Sequence, residues 1–514
     1  MKQNTQNESP EIASLKIELR YKNIYLLLLF LLSTVCLFAN LWIGDLGLDS
    51  AVYATVSRAI LRSNDWVVLH YEHCKEYIDF WQHPPLFFWM TAVSFKLFGI
   101  TEFAARFISA FLGVFTILLV YLIGYRVSNS YKIGFLSGLV LLTTQPFLDI
   151  SRKCQLDVPL AFFITLSILF FILAIQKNGK YYILLGISAG MAILTKGLPA
   201  VSIIGIVFLF FILKKDFKFF ISTKPFIFLF FISLTLCIWL IPLIYTGEFK
   251  NFLNTYFVGQ IWDKFVGADS ANGINLFGKI YGFFWYLVAL AKLYWPWFPF
   301  LILSFYFGFK KLKNRKILLI FILWILILLF GFSLAETKYY RYLAPLYPAF
   351  AIFIGVVLGE KVSERLFRRI VYFSLILLLL LLFATSIFPL YFGKINAPDK
   401  TELKKITPCI KSLTEDKEHI SVYKMSYWGT VADFAFYVDR PINKYDTEDS
   451  FGLSLTEGSN YGYIRKEEYN NLSEEFKKNY LPVVETESFY LITNIKNYTV
   501  LIKKTIPIFI YYWY

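Results

Sequence analysis

The sequence predicts a polytopic α-helical membrane protein of about eleven spans (range 11–13), followed by a small α/β domain outside the membrane. Three observations predict it. The 514 residues are 57% hydrophobic, where soluble domains sit near 45–50%. Runs of Leu, Ile and Phe long enough to cross roughly 30 Å of hydrocarbon recur along the first 390 positions. Lys and Arg gather in short clusters between those runs, as cytoplasmic loops require.

The expected spans are 24–43, 103–125, 133–149, 157–175, 181–195, 198–213, 225–246, 282–308, 317–334, 342–358 and 370–391. The apolar segment 84–98 is excluded. Without it, the clusters around Lys22, Lys132, Lys180, Lys215, Lys313 and Arg368 all fall on one side, which is then the cytoplasm. Counting it as a span reverses every later cluster. At about 15 residues, with Lys96 in its apolar face, it reads as a juxtamembrane helix on the outer surface. Pro84 and Pro85 open it, since proline suits a first helical position. The N-terminus then lies inside and the C-terminus outside. The polar start, Met1 to Lys22, lacks a small-residue cleavage site and so predicts no cleaved leader.

Two long outer segments result, 44–102 and 247–281. The membrane domain covers 1–391. Residues 392–514 are charged and polar with short alternating runs such as "HISVYKM", "FAFYVDRPI" and "FYLITNI", which predict the separate α/β domain. No solenoid repeat and no pair of short broken helices stands out. The net charge of +15 does not imply nucleic acid, because its basic residues are the loop clusters. Five scattered cysteines imply neither a disulfide framework nor a zinc ribbon.

Under this topology, polar residues collect at the outer ends of spans: Asp49, Arg58, Asp65, Asp79, His83, Arg106, Arg152, Asp157, Lys196, Lys264, Lys338 and Arg341. Any one Lys or Arg there can simply snorkel to the interface. Asp49 and Asp157 are harder to explain so, since acids contribute little to topology and are costly at a membrane edge. Such a set can transfer a group from a phosphorylated lipid. A carboxylate takes the acceptor's proton, while Lys and Arg hold the departing phosphate. Aromatics such as Tyr53, Trp66, Trp81, Trp285 and Tyr286 can stack on a sugar. At 20% of the chain, most aromatics are interface belt or packing.

Four motifs in order, "LDSAVYATVSRAILRSNDWVV", "HPPLFFWMTAVSFKLFGITEFAARFISAFLG", "SRKCQLDVPLAFF" and "LTKGLPA", with "SLAETKYYRYLAPLYPAF" later, cover much of the first 350 residues. Together they resemble the polyprenyl-phosphate-sugar-dependent membrane glycosyltransferases of GT-C fold. These are the bacterial relatives of the protein O-mannosyltransferases and of the lipid A aminoarabinose transferase. Each motif alone is weak; their order and spacing carry the resemblance.

The resemblance implies an inverting glycosyltransferase. It would take a polyprenyl-phosphate sugar as donor and a lipid, glycan or protein hydroxyl as acceptor, at the outer face of a bacterial inner membrane. It implies Asp49 as catalytic base and Asp157 as a second catalytic acid. Arg152, Lys196, Lys338, Arg341 and His83 would bind the donor phosphate. Tyr53, Arg58 and Tyr342 would contact substrate. Two departures stand out. Asp49-Ser50 replaces a common Asp-Glu, and His83 stands where many relatives carry lysine, a weaker phosphate ligand near pH 7 because imidazole is mostly neutral there. The reading requires no cofactor. A divalent metal on His70, His73 and His83 stays open through the His-x-x-His spacing of "HYEHC". Two other functions also stay open: a glycan ligase, and a transporter or flippase for lipid-linked sugars. A transporter would place its charges near the bilayer midplane rather than at one face.

Overall fold

The computed structural model describes residues 10–71, 79–262, 276–335, 338–387, 398–415, 418–425 and 431–497. Helices dominate up to residue 387: α1 (Pro10–Phe38), α2 (Leu48–Ser63), α3 (Leu86–Phe98), α4 (Glu102–Ser128), α5 (Tyr131–Leu142), α6 (Gln145–Ser151), α7 (Asp157–Gln176), α8 (Tyr181–Lys196) and α9 (Leu198–Leu213). Then follow α10 (Thr223–Tyr245), α11 (Phe249–Leu253), α12 (Leu276–Leu293), α13 (Trp297–Lys311), α14 (Leu318–Leu334), α15 (Tyr347–Leu358) and α16 (Glu364–Ile387).

Among the described residues, five segments are long and apolar enough to cross a membrane: Glu102–Ser128, Asp157–Gln176, Thr223–Tyr245, Tyr340–Lys361 and Glu364–Phe383. Each expected span coincides with a helix, but two differ in form. The expected span 282–308 is two helices, α12 and α13, interrupted at Pro296, which has no N–H to continue the ladder. The expected span 133–149 is the pair α5 and α6, bent by 68°. Pro146 opens α6, and the Thr143 and Thr144 hydroxyls donate to the Leu139 and Val140 carbonyls at the break. A broken helix is therefore present where none was expected. Several other apolar helices run only 10–17 residues.

The chain forms two compact units. The first comprises Met1–Leu41, Trp81–Phe87 and Arg106–Phe392. Within it, α7 and α8 pack as an antiparallel hairpin, joined near its middle by Ser167 Oγ donating to Ser188 Oγ at 2.9 Å. Close helix contact in lipid favours such small residues.

The second unit comprises Trp42–Phe80, Phe88–Ala105 and Gly393–Tyr514. It thus takes in most of the first outer segment, with α2 and α3. The 13 residues of α3 rise about 20 Å, too short to cross. Trp89 Nε1 donates to the Trp66 carbonyl at 2.7 Å and Ser94 Oγ to the Ala104 carbonyl at 2.7 Å.

After α17 (Pro398–Leu413), the same unit contains β1 (Ile420–Tyr423), α18 (Ala432–Val438), β2 (Ile442–Tyr445), α19 (Glu448–Glu457), β3 (Tyr461–Arg465), α20 (Lys466–Asn470), α21 (Glu474–Asn479), β4 (Tyr480–Glu485) and β5 (Phe489–Asn494). The five strands form one sheet in the order β2-β1-β3-β5-β4. β1 is parallel to β2 and β3, and β5 is antiparallel to β3 and β4. Alternation along β1 sends Ile420 and Val422 into one core with Phe434 and Ile410, and Tyr423 into another with Phe451 and Phe476. Of the three quoted runs, "FAFYVDRPI" is helical through Val438; only its last residue begins a strand.

Candidate active site

In the first unit, the α7–α8 hairpin decides which charges meet. A helical hairpin sets the first residue of one helix beside the last of the other. Asp157 opens α7 and Lys196 closes α8, and Lys196 Nζ lies 2.5 Å from Asp157 Oδ1. Each charge also sits at the helix end whose dipole favours it. Both side chains are buried, 12% and 4% exposed. A lone charge at such depth is costly, so each side chain offsets the burial of the other.

Tyr342 is the shared face of two cations. Lys196 Nζ stands 4.7 Å from its ring centroid and the Arg341 guanidinium 6.0 Å. Arg341 also lies 4.6 Å from the Tyr339 ring. Phe332 stacks on Tyr342 at 5.8 Å. The structure thus brings together Asp157, Lys196, Arg341 and Tyr342. Lys338 donates to the Ala335 carbonyl and passes beside Gly282, where a Cβ would overlap its side chain.

Two residues the sequence reading missed join this unit. Tyr256 donates its hydroxyl to the Lys196 carbonyl and accepts from Leu198 N–H, both at 3.0 Å. It thereby pins the joint between α8 and α9. That joint is Gly197, at φ +69°, and a Cβ there would overlap the Tyr256 hydroxyl. Burial pushes the Tyr256 phenol up to about 12, so it remains a donor at neutral pH. The available signal was the glycine between two apolar runs; nothing marked one tyrosine among 35. The second is Lys153, 2.6 Å from Asp149 Oδ2. Burial works against its charge, but Asp149 and the Tyr340 hydroxyl outweigh burial and hold the ammonium above its usual range.

Arg152 is used differently from the expectation. Its guanidinium donates to the carbonyls of Cys36 (2.9 Å), Leu37 (3.1 Å) and Ala39 (2.6 Å). The Cys36 and Leu37 carbonyls are among those that the end of α1 leaves without helical partners, and Ala39 follows directly. The role expected of Arg152 at a phosphate is therefore not what its hydrogen bonds serve. Arg106 likewise donates to the Leu41 carbonyl at 2.9 Å. His83 is half-buried in this unit.

In the second unit, Asp49 sits half-buried in the first turn of α2, where the helix dipole stabilises a carboxylate. The entry to that turn is held by α18. Gly47 N–H donates to Asp433 Oδ1 at 3.0 Å and Leu46 N–H donates to the Tyr437 hydroxyl at 3.0 Å. Gly47 itself has φ 67°. The far end of α2 returns the contact. Arg58 donates to the carbonyls of Phe436 and Ala435 at 3.0 Å each and lies 3.1 Å from Asp439. Arg58 is 1% exposed and closes the end of α18, where a substrate contact was expected. Tyr53 is buried too, edge-on to Phe80 and Phe88 at 6.4 and 5.7 Å. It packs this unit's core.

His70 lies between two acids, its Nε2 3.3 Å from Asp65 and its Nδ1 3.1 Å from Asp79. Partial burial raises the Asp65 pKa, but the backbone amides of Val68 and Val67 and the His70 ring lower it further, to a net value below the usual range. Among the described residues, no three His, Cys, Asp or Glu side chains converge as metal ligands. His73 and Cys74 lie outside the described residues, as does Lys264.

Residues 82–243 match the family model described as dolichyl-phosphate-mannose-protein mannosyltransferase. An undecaprenyl phosphate-alpha-4-amino-4-deoxy-L-arabinose arabinosyl transferase of Yersinia enterocolitica is 27% identical over 308 residues, 58% of this chain and 52% of its own. An uncharacterised protein of Aquifex aeolicus is 29% identical over 407 residues, 77% of this chain and 84% of its own. The chain thus spans about half the length of the named transferase. The crystal structure of ArnT from Cupriavidus metallidurans bound to undecaprenyl phosphate superposes with a TM-score of 0.71 at 17% identity, covering 93% of this chain and 98% of that one. That likeness establishes the fold.

Proposed function

We propose, from the premise that this chain is a GT-C-fold relative of the polyprenyl-phosphate-sugar glycosyltransferases, that it transfers a sugar from a polyprenyl-phosphate donor to an acceptor hydroxyl. The observation that carries the reading is the buried Asp157–Lys196 pair, with Arg341 also within reach of the Tyr342 ring. Two cations beside one aromatic face suit a phosphate monoester and a sugar ring. Asp157 fixes the position of the Lys196 ammonium. Lys338 and Lys153 are further cations of this unit.

Asp49 is the base. It takes the proton of the acceptor hydroxyl while that oxygen attacks the anomeric carbon. The bond from that carbon to the phosphate oxygen breaks with its electron pair. Polyprenyl phosphate leaves with the charge that Lys196 and Arg341 offset. Attack opposite the leaving group inverts the anomeric centre. No cofactor takes part. The chain works in a bacterial inner membrane, with this chemistry and the C-terminal domain at the outer face.

The test is the full-length chain in nanodiscs, incubated with undecaprenyl phosphate carrying 4-amino-4-deoxy-L-arabinose or mannose and with envelope glycolipid or peptide acceptors. Mass spectrometry should detect free undecaprenyl phosphate together with an acceptor heavier by one sugar. Movement of the intact lipid-linked sugar between leaflets, with no bond broken, would instead support a transporter.

A further inference from the structure

We propose that Asp433 and Tyr437, on α18 of the C-terminal domain, are positioning residues for Asp49. The proposal rests on the reading of Asp49 as the base, and it gives the C-terminal domain a task within that reaction. A general base works only within hydrogen-bond reach of the proton it removes, and a displacement of about 1 Å can cost 10²-fold. Asp49 sits in the turn that starts α2, so the place of that turn sets its backbone.

That turn receives little help from its own sequence. Its N-cap position is Gly47, which has no side chain to cap the helix, unlike the Ser, Thr, Asp or Asn that usually stand there. The two amides that lead into the helix are instead held by α18, nearly 390 residues away in sequence. Gly47 N–H donates to Asp433 Oδ1 (3.0 Å) and Leu46 N–H to the Tyr437 hydroxyl (3.0 Å). Asp433 is 1% exposed. Burying a carboxylate is costly unless it is hydrogen-bonded, and Gly47 N–H is one of its donors.

The two helices hold each other at both ends. Arg58 closes the end of α18 through the Ala435 and Phe436 carbonyls, and Arg62 makes two bonds to Asp439, at 2.8 and 2.5 Å. Asp45, two residues before Gly47, lies 3.8 Å from Lys404 of α17. The C-terminal domain thus grips both the entry and the exit of the helix that bears the base.

The experiment compares wild type, Asp433→Ala, Asp433→Asn and Lys466→Ala in the full-length chain in nanodiscs. Lys466 pairs with Glu485 at 2.5 Å on the surface of the same domain and controls for perturbing that domain. Two readouts are taken: amide hydrogen exchange of peptides covering residues 44–50, and steady-state kinetics with undecaprenyl phosphate carrying 4-amino-4-deoxy-L-arabinose or mannose. Asp433→Ala should expose the Leu46 and Gly47 amides to exchange. It should lower kcat by about 10–100-fold while changing the KM for the donor by less than about twofold. Asp433→Asn keeps an oxygen that can accept the Gly47 N–H and should restore most of both, and Lys466→Ala should match wild type. Unchanged exchange in Asp433→Ala, or an unchanged kcat per folded molecule, would overturn the positioning role. Wild type that frees no undecaprenyl phosphate from either donor would overturn the transferase reading and this inference with it. That outcome differs from failure of the positioning alone, in which wild type is active and Asp433→Ala equals it.

Discussion

One buried charge in each unit illustrates a different use of such a group. In the first, Lys196 and Asp157 pair with each other at the open ends of two helices. In the second, Arg58 and Asp433 bond to backbone groups of helix ends. Arg152, although in the first unit, follows the second pattern by closing α1. Side-chain chemistry explains the division. A guanidinium presents five donors in a rigid fork and can satisfy several carbonyls at once, whereas an ammonium is a point charge that a phosphate can share with a carboxylate. Arg58 and Arg152 are thus held by backbone carbonyls, whereas Lys196 is held by a carboxylate.

The largest effect expected from breaking this contrast is on chemistry. Asp49→Asn should lower kcat by about 10²–10⁴-fold and leave the melting temperature near wild type, because Asp49 is half-buried. Initial rates and a thermal melt on one preparation check both. Next, Lys196→Ala should cost about 10²–10³-fold in kcat and also destabilise the fold by about 3–5 kcal/mol, since it strands the buried Asp157 charge. The double variant Asp157→Asn with Lys196→Met should recover part of that stability and none of the activity. A double variant no more stable than Lys196→Ala would argue against an ion pair.

Arg152→Lys sharpens the contrast from the structural side. A lysine cannot reach three carbonyls in a fork, so stability should fall by about 1–3 kcal/mol while the KM for the donor stays unchanged. A raised KM would return Arg152 to the phosphate. The smallest effect concerns pH. The folded-state pKa of Asp65 lies below its unfolded value near 3.9. Its contribution is therefore present in full above that value and lost as pH falls through the folded one. Hydrogen exchange at Val67 and Val68 should be constant from neutral pH to about 5, after allowance for intrinsic rates, and should lose protection below about 4.

Much of this organisation was legible in the sequence because one strong pattern wrote it. Apolar runs located a helix for each expected span, and the length of 84–98 marked α3 as too short to cross. Asp157 and Lys196 were legible as candidates because each ends an apolar run. Their meeting was not, since it depends on the register of a hairpin. The split at Pro296 and the bend between α5 and α6 escaped because a hydropathy window averages over a local break. The backbone partners of Arg58 and Arg152 were not legible, because a charge near a span end looks alike whether it faces a ligand or a helix terminus. Asp433 was invisible as a partner of Gly47, because hydrogen bonds across hundreds of residues leave no local signature.

The central claim is transfer from a lipid phosphate. Its most direct test is mass spectrometry of lipid extracts and envelope glycans from three strains: wild type, deletion, and Asp49→Asn. The account predicts that both altered strains accumulate one polyprenyl-phosphate sugar and lose one defined glycan mass, which then identifies sugar and acceptor together. An Asp49→Asn strain with wild-type lipids and glycans, beside a defective deletion strain, would contradict the account.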